Sequence, residues 1–424
     1  MKVLIVGSGG REHALAWAIR KSPRLTALYA APGNPGMAPL AHCVDIPVDD
    51  IEGLAAFALR EGIDLTIVGP EAPLVAGIVD YFNEKGLAVF GPRAAAAELE
   101  GSKAFAKKVM RDAGIPTASF EVFRNKARAE AYIRQCNSFP LVLKADGLAA
   151  GKGVLICPDK NSALEAVQQL MGDRSFGAAG ETIVAESFIK GDELSVFVLT
   201  DGERYLILPP AQDHKKIGEG DTGANTGGMG AYAPAPLATE ALMLRIRREV
   251  IEPLLAAMRR IGRPYQGLLY AGFIIYEETP YVLEYNCRFG DPETQAVLPL
   301  IKSDLLPVFR EIAEGRLQTN ELETYNLCAF DVVLASGGYP SNYAKGYPIK
   351  GLDTLPEDVL CFHAGTRRDD GQWLTHGGRV LNIVATAPTF PEAARSVYTV
   401  VEKISFKDMY YRRDIGYKLP GITQ

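Results

Sequence analysis

Long apolar runs are missing from this 424-residue chain. No stretch approaches the roughly 20 apolar residues of a membrane-spanning helix. The opening strand MKVLIV runs straight into glycines, without the apolar core and cleavage site of a signal peptide. The chain therefore reads as cytoplasmic, with no membrane partner. A strong excess of charge is missing too. The formal net charge of −6 leaves no electrostatic footprint for nucleic acid. Cysteine is sparse, with six residues at 43, 136, 157, 287, 328 and 361 and no CxxC. They read as buried thiols in a reducing compartment rather than a disulfide frame. The five histidines contain no HExxH pair, so a zinc site built from them is not expected.

What the chain does have is length and alternation. At roughly 150 residues per domain, 424 residues suggest two to four domains. Over the first hundred residues, strands are expected at 2–6, 25–30, 64–69 and 87–91, with helices at 11–21, 51–61 and 75–85. That order implies a Rossmann-like parallel sheet with helices on both faces, whose ligands bind beyond the carboxyl ends of the strands. Two motifs sit at such ends: GSGGREH after KVLIV, and GPEAPL (69–74) after DLTIVG.

GSKAFAKKVM (101–110) starts a new helix with Ser102 as N-cap, and that helix should stop near Gly114, before Pro116. Strands follow at 140–145, 153–157, 182–187 and 193–199, with one helix at 161–171. The stretch GEGDTGANTGGMGAYAPAP (218–236) is rich in glycine and poor in large apolar side chains. It reads as a loop, and its length suggests function. A long helix is expected at about 239–262, a hairpin from 269–276 and 281–287 around EETP, and helices over roughly 292–315. From about 327 the strands CAFDVVLASGGYP, VLCFHAGT and GGRVLNIVATA, with an amphipathic helix at 392–404, imply a small α+β domain.

Four stretches carry residues suited to chemistry. In YVLEYNC (281–287), strand alternation puts Tyr281, Leu283 and Tyr285 on one face and Glu284 and Asn286 on the other. A carboxylate and an amide oxygen on one face suit a hard cation such as Mg²⁺; a solvent-facing strand has the same pattern. CRFGDPETQ then crowds Arg288, Asp291 and Glu293 at the strand's end, and charges of both signs there favour a site. In LVLKADGLAAGKGV (141–154), Lys144 interrupts an apolar strand and small residues follow. This is not a Walker A motif: GLAAGK has three residues between its glycines, and Gly153 takes the Ser/Thr position. Such a hairpin can lie over a triphosphate with N–H groups facing the phosphates, or be a plain hairpin tip. An isolated strand lysine is more often an edge guard than a ligand. IVAESFIKGDELSVF (183–197) ends one strand at Glu186 and starts the next at Glu193. A segment crossing between lobes can bond adenine through its backbone, whereas exposed glutamates are usually just solvated. AQDHKKIGEGDTGANTGGMGAY (211–232) joins Asp213, His214, Lys215 and Lys216 to a run of glycines. That glycine density points to close backbone approach to a ligand rather than a disordered charged loop.

In this order the pieces resemble the ATP-grasp superfamily: an N-terminal α/β domain, a lysine helix, a strand-lysine-glycine lid, a hinge glutamate, and ExN on a late strand. More closely, the chain resembles the phosphoribosylamine–glycine ligase (glycinamide ribonucleotide synthetase) family. The matching runs are GGREHAL, APGNPG, IVGPEAPLV, LEGSKAF, KADGLAAGKGV, QDHK, NTGGMGAY, EYNCRFGDPETQ, FHAGT and GGRVL, spread over nearly the whole chain in the family's order. The resemblance implies an N-terminal Rossmann-like substrate-binding domain at 1–101 and a small C-terminal α+β domain at 327–424. Between them it implies an ATP-grasp domain at 102–326 with a lid subdomain at about 122–192. The implied activity is a C–N ligase of purine biosynthesis. ATP, glycine and 5-phosphoribosylamine give glycinamide ribonucleotide, ADP and phosphate through glycyl phosphate, with Mg²⁺ or Mn²⁺ required. No protein nucleophile is needed, in keeping with the lack of a Ser/His/Asp set; catalysis is positioning and charge neutralisation. The expected partners are small molecules and the expected state is a monomer.

By resemblance, Lys103 and Lys144 contact ATP phosphates, and residues 147–153, with Gly147, Gly151, Lys152 and Gly153, form the lid loop. Glu186 and the backbone around Phe188 match the adenine hinge, Glu193 the ribose ligand, and Glu284 and Asn286 the metal ligands. Arg288 lies where the acyl phosphate forms, with Asp291 and Glu293 in the turn beside it. Asp213 and the NTGGMG loop, with Gly227 and Gly228, match contacts to glycine and phosphoribosylamine. Gly9, Gly10 and Glu71 match the pocket for the phosphate and sugar of the ribosylamine. Arg288, Lys144 and Asp213 are the expected catalytic groups. One departure is AESF, where the family pattern has two consecutive acids; Ser187 replaces the second and leaves open which glutamate is the hinge one.

The opening VGSGGREHAL also resembles the start of a dinucleotide-binding fold, but Glu12 stands where the third glycine belongs. An NAD-dependent oxidoreductase leaves residues 100–300 without a role. DPETQ and NTGGMGAY argue against a carboxylating or formylating relative, and intact Lys144, Glu284, Asn286 and Arg288 argue against a non-catalytic regulator. The loop suits one phosphate better than a pyrophosphate, and the expectation is that it holds the 5-phosphate of phosphoribosylamine.

Overall fold

The strand Lys2–Gly7 forms the centre of a parallel five-stranded sheet. In this computed structural model, which describes residues 1–148, 153–172 and 180–422, the order across that sheet is His42–Cys43, Ala27–Pro32, Lys2–Gly7, Leu65–Val68, Val89–Phe90. Alternate side chains of the central strand enter different cores: Leu4 and Val6 join one apolar cluster, Val3 and Ile5 the other. All four are fully buried, as a parallel sheet covered on both faces requires. The helix Ile51–Glu61 lies where the sequence puts it. The helix expected at 75–85 is instead two pieces, Glu71–Val75 and Ile78–Glu84. Gly77 separates them with a left-handed φ of 91°. Glu71 starts the first of these helices, directly beyond the strand Leu65–Val68.

Ser102 caps the helix Lys103–Asp112, its hydroxyl accepting from the Phe105 N–H at 3.0 Å. Beyond it a four-stranded sheet runs in the order Phe120–Phe123, Ile183–Ser187, Leu141–Ala145, Val154–Cys157. It has its own core with the helices Lys126–Gln135 and Lys160–Val167, including Ile133, Leu143, Val167 and Leu170. The helix expected at 161–171 ends in a wide π turn at Gln168–Gly172. A second sheet, antiparallel, runs Tyr205–Ile207, Asp192–Thr200, Gly267–Tyr276, Thr279–Asn286. Its last two strands form the expected hairpin, tightened to a turn at Glu277 and Glu278 with φ of 46° and 60°. The helix expected at about 239–262 is continuous but carries a π turn at Arg247–Ile251 between Glu240–Ile246 and Glu252–Arg260. Pro253, with no N–H for the preceding turn, lies two residues beyond its end. The region 292–315 splits into Glu293–Val297, a short 3₁₀ turn, and Leu305–Ala313 capped by Asp304.

The stretch 218–236 is not a loop throughout. It holds most of a hairpin, Lys216–Gly218 with Thr222–Asn225, and the strand Gly230–Ala233. That strand is buried against Cys328–Ala335, and at Gly230 a Cβ would stand 2.5 Å from the Asp331 carbonyl oxygen. Small residues permit this approach, and a pattern search based on large apolar residues cannot detect it. The C-terminal sheet runs Gln212–Asp213, Gly230–Ala233, Cys328–Ala335, Arg379–Ala387, Val359–His363. It therefore draws strands from both sides of residue 327, with the helix Phe390–Val401 packed on it. All six cysteines are free thiols; contrary to expectation only Cys157 and Cys287 are buried, and Cys43 is exposed. Among the described residues no helix is long and apolar enough to cross a membrane.

Candidate active site

A cavity of about 790 Å³ opens where the lid sheet, the second sheet, the N-terminal unit and the C-terminal sheet meet. Glu71, Lys103, Lys144, Gly147, Gly153, Glu186, Phe188, Glu193, Asp213, Gly227, Glu284, Asn286, Arg288, Asp291 and Glu293 all line it. Gly9, Gly10 and Gly228 are not in its wall, and Gly151 and Lys152 lie outside the described residues.

The strand Thr279–Asn286 departs from simple alternation. A bulge pairs Gly272 with Glu284 and Phe273 with Val282, so Leu283 has no partner across the ladder. Val282 and Tyr285 consequently enter the same core, three residues apart. The expected grouping of Tyr281, Leu283 and Tyr285 on one face fails for this reason, and Leu283 borders the cavity beside Glu284 and Asn286. Burial alone would raise the Glu284 pKa, but Lys215, Lys144, Lys103 and Arg288 outweigh it and hold the carboxyl below its ordinary value. Asn286 presents its amide oxygen beside it, accepting from Arg288 Nη2 at 3.3 Å. An ionised carboxylate and an oriented amide oxygen are a hard donor set. Among the described residues no three His, Cys, Asp or Glu side chains form a metal cage. Two protein oxygens leave the other positions to phosphate and water, which is how Mg²⁺ is usually held. The pair fits such a cation.

Lys103 Nζ donates to the Gly147 carbonyl at 2.9 Å, tying the capped helix to the lid loop. Burial lowers its pKa. Lys144 Nζ stands 3.0 Å from Glu186 Oε1 and 3.3 Å from the Leu283 carbonyl. The other Glu186 oxygen meets Lys107 Nζ at 2.9 Å. Glu186 and Lys107 are each only 2% exposed. The one trace of Lys107 in the sequence was its spacing, four residues after Lys103 on the same helix face.

Arg288 is held by both neighbouring units. Its Nε lies 3.2 Å from Glu71 and its Nη2 lies 3.1 Å from Glu100. Burial would lower its pKa, and these two carboxylates raise it further than burial lowers it. Glu100, which sequence reasoning missed, also accepts the Cys287 N–H at 2.7 Å. It precedes the Ser102 cap inside LEGSKAF, where the expectations fell on Ser102 and Lys103.

Behind Glu284 sits a second cluster. Glu193 pairs with Lys215 at 3.0 Å. Glu293 accepts from the Tyr270 hydroxyl at 2.7 Å. Asp213 has a buried oxygen with no hydrogen-bond partner. Burial, with Glu293 and Glu193 nearby, pushes its carboxyl well above the usual range despite Lys215. His214 takes no part in the cavity wall; its ring Nε2 accepts the Gly416 N–H at 3.0 Å.

The glycine loop is filled from within. The Gly9 N–H donates to Glu12 Oε2 at 2.6 Å. A Cβ at Gly7, Gly9 or Gly69 would strike the Glu12 side chain at 2.5, 2.8 or 2.1 Å. Glu12 thus occupies the niche that an open anion pocket would need. Gly10 lies under Asn382 and Gln295, and Gly228, with φ of 112°, against Pro292. Gly10 and Gly228 are closely packed by these neighbours, and Gly9 and Gly10 stand beside the cavity rather than in its wall. Arg11 lines the cavity and donates to the Phe289 carbonyl at 3.1 Å. Arg379, missed in the GGRVL run, donates to the carbonyls of Gly227 at 2.8 Å and Asp291 at 2.7 Å.

Comparison with known proteins matches three successive stretches of the chain. Sequence models described as phosphoribosylglycinamide synthetase N domain, ATP-grasp (A) domain and C domain match residues 1–100, 101–294 and 329–418. The phosphoribosylamine–glycine ligase of Chlorobaculum tepidum is 51% identical over 423 residues, covering 99% of this chain and 100% of the relative. That of Brucella melitensis biotype 1 is 49% identical over 420 residues, covering 99% and 98%. The crystal structure of the phosphoribosylamine–glycine ligase from Thermotoga maritima superposes with a TM-score of 0.86 at 35% identity, covering 98% of this chain and 100% of that one. A biotin carboxylase domain from Hydrogenobacter thermophilus shares the fold, with a TM-score of 0.74 at 19% identity over 96% of this chain and 91% of its own.

Proposed function

The chain belongs to the phosphoribosylglycinamide synthetase family, and from that premise we propose how its cavity carries out the family's reaction. It is a ligase that joins glycine to 5-phosphoribosylamine at the cost of ATP, giving glycinamide ribonucleotide, ADP and phosphate. The observation that carries the assignment of roles is Glu284, an ionised carboxylate facing four cations beside an oriented amide oxygen.

The nucleotide lies with its base near Glu186 and Phe188, its ribose toward Glu193, and its phosphates toward Lys103 and Lys144, beside Gly147 and Gly153. Glu284 and Asn286 would hold Mg²⁺ or Mn²⁺, which when bound offsets phosphate charge. A glycine carboxylate oxygen attacks the γ-phosphorus, and ADP leaves. The ribosylamine nitrogen then attacks the carbonyl carbon of glycyl phosphate, the C–O bond to phosphate breaks, and the nitrogen loses a proton. Arg288, fixed by Glu71 and Glu100, faces the charge that builds on the acyl phosphate. Asp213, with one buried oxygen unpartnered, is suited to take an amine N–H. Arg11, paired with Glu12, and Arg379, paired with Asp291, are the cations that meet the ribosylamine phosphate, with Glu293 and Gly227 shaping the wall between them. The glycine loop supports that pocket by seating Glu12 against Arg11.

The direct test is ADP release with a panel of amino acids, with and without freshly made phosphoribosylamine. Turnover is expected only when glycine and the ribosylamine are both present. Robust turnover with bicarbonate or formate instead would sink the assignment.

A further inference from the structure

Lys107 is a buried cation that the ligation scheme leaves without a task. Its Nζ is fixed on two sides, by Glu186 Oε2 at 2.9 Å and by the Thr117 hydroxyl at 2.7 Å. Thr117 in turn donates to the Val282 carbonyl at 2.6 Å, on the strand that carries Glu284. Lys144 is held more loosely. It reaches Glu186 Oε1 at 3.0 Å, yet that oxygen accepts no aligned hydrogen bond, and its bond to the Leu283 carbonyl is long at 3.3 Å. One carboxylate therefore has a locked partner on one oxygen and an exchangeable partner on the other. Around it, Ala106, Met110, Val142, Ile156 and Leu283 give the cavity apolar walls suited to a flat base.

We propose that Lys107 sets the preference of this enzyme for adenine over guanine nucleotides, as the permanent counter-ion of Glu186. The proposal rests on the reading above that places Glu186 at the base of ATP. When Lys144 turns to the phosphates, Glu186 Oε1 is freed. A carboxylate this deeply buried is costly if left uncompensated. Lys107, 2.9 Å from the other oxygen, balances its charge and keeps its free oxygen in place. An ionised oxygen accepts the exocyclic amine of adenine; the carbonyl that guanine presents at the same position is itself an acceptor and is repelled. Lys107 is thus a positioning residue, acting through Glu186.

The experiment is steady-state kinetics with ATP and GTP on Lys107→Met, Lys107→Arg and Glu186→Gln. Lys107→Met should raise KM for ATP about tenfold or more while kcat falls less than about threefold, and should lower the ATP-over-GTP ratio of kcat/KM by about tenfold. Lys107→Arg should restore that ratio to within about threefold of the parent. A folded Lys107→Met enzyme with an unchanged ratio overturns the proposal. If Lys107→Met gives no cooperative melt, Thr117→Val replaces it: this variant loosens Lys107 and should lower the ratio about threefold, and an unchanged ratio overturns the proposal equally. Glu186→Gln separates the two ideas. If it leaves the ratio unchanged, the placement of Glu186 at the base fails; if it shifts the ratio and Lys107→Met does not, only the role of Lys107 fails.

Discussion

At Glu284 the chain sets a carboxylate among four cations, three of them also paired with other carboxylates. Removing that carboxylate should cost function far more than stability. Glu284→Ala is expected to lower kcat about a hundredfold or more while circular dichroism and melting stay near the parent's. A near-normal rate of ADP release at saturating Mg²⁺ would refute the metal role. Gly9 makes a different argument. Its N–H is spent on Glu12, and any Cβ there meets the Glu12 carboxylate at 2.8 Å. Gly9→Val should push Glu12 and its partner Arg11 aside, raising KM for the ribosylamine about tenfold and KM for ATP less than twofold. Initial-rate measurements with each substrate varied in turn check this; equal effects on both would show that the loop serves the whole cavity.

At the scale of elements, the site depends on places where regular structure breaks. The bulge opposite Gly272 puts Leu283 and Glu284 together on the cavity side. Gly77 breaks the helical segment whose first residue, Glu71, faces Arg288. The hairpin behind them is also irregular: Glu277 and Glu278 both adopt left-handed φ, a conformation that costs side-chain-bearing residues roughly 1–2 kcal/mol each. Asn-Gly is the pair that such a two-residue turn prefers. The double variant Glu277→Asn, Glu278→Gly should therefore stabilise the protein by about 1 kcal/mol with kcat unchanged. Urea unfolding followed at one temperature is the check, and a lowered midpoint would show that the two glutamates are held there for another reason.

For the whole molecule, the N-terminal and C-terminal units are joined by uncharged contacts. Asn34 donates to the carbonyls of Ser8 at 2.8 Å and His363 at 2.9 Å. The His363 N–H donates to His13 Nδ1 at 2.9 Å. Burial, with His363 nearby, lowers the His13 pKa to about 3. Burial lowers that of His363 to about 4. Both rings are neutral in the folded chain, whereas in the unfolded chain they take up protons below about pH 6.5. Stability is therefore full above that pH and is lost as pH falls from about 6.5 toward 4, by about 1.4 kcal/mol per pH unit for each ring. His13→Asn keeps an acceptor for the His363 N–H but cannot titrate. Unfolding midpoints between pH 7.5 and 5 should fall less steeply in this variant than in the parent, and an identical slope would remove His13 from the account.

The sequence by itself determined the alternation of the N-terminal sheet, the Ser102 cap and the family. Through that resemblance it also named many of the cavity's charged groups, though not Arg11, Glu100, Lys107 or Arg379. Glu284 and Asn286 were legible as a pair because two residues along a strand share a face whatever the strand packs against. Only the tertiary structure decided which groups meet across long separations. Lys107 reaches Glu186, Glu100 reaches Arg288 and Arg379 reaches Gly227 over chain distances that no local pattern encodes. The same holds for the strand Gly230–Ala233, whose small side chains carry no apolar signal and make sense only against Cys328–Ala335. Glu12 is the sharpest case. In the sequence it was the residue that spoiled a dinucleotide fingerprint; in the fold it is the carboxylate that three glycines make room for.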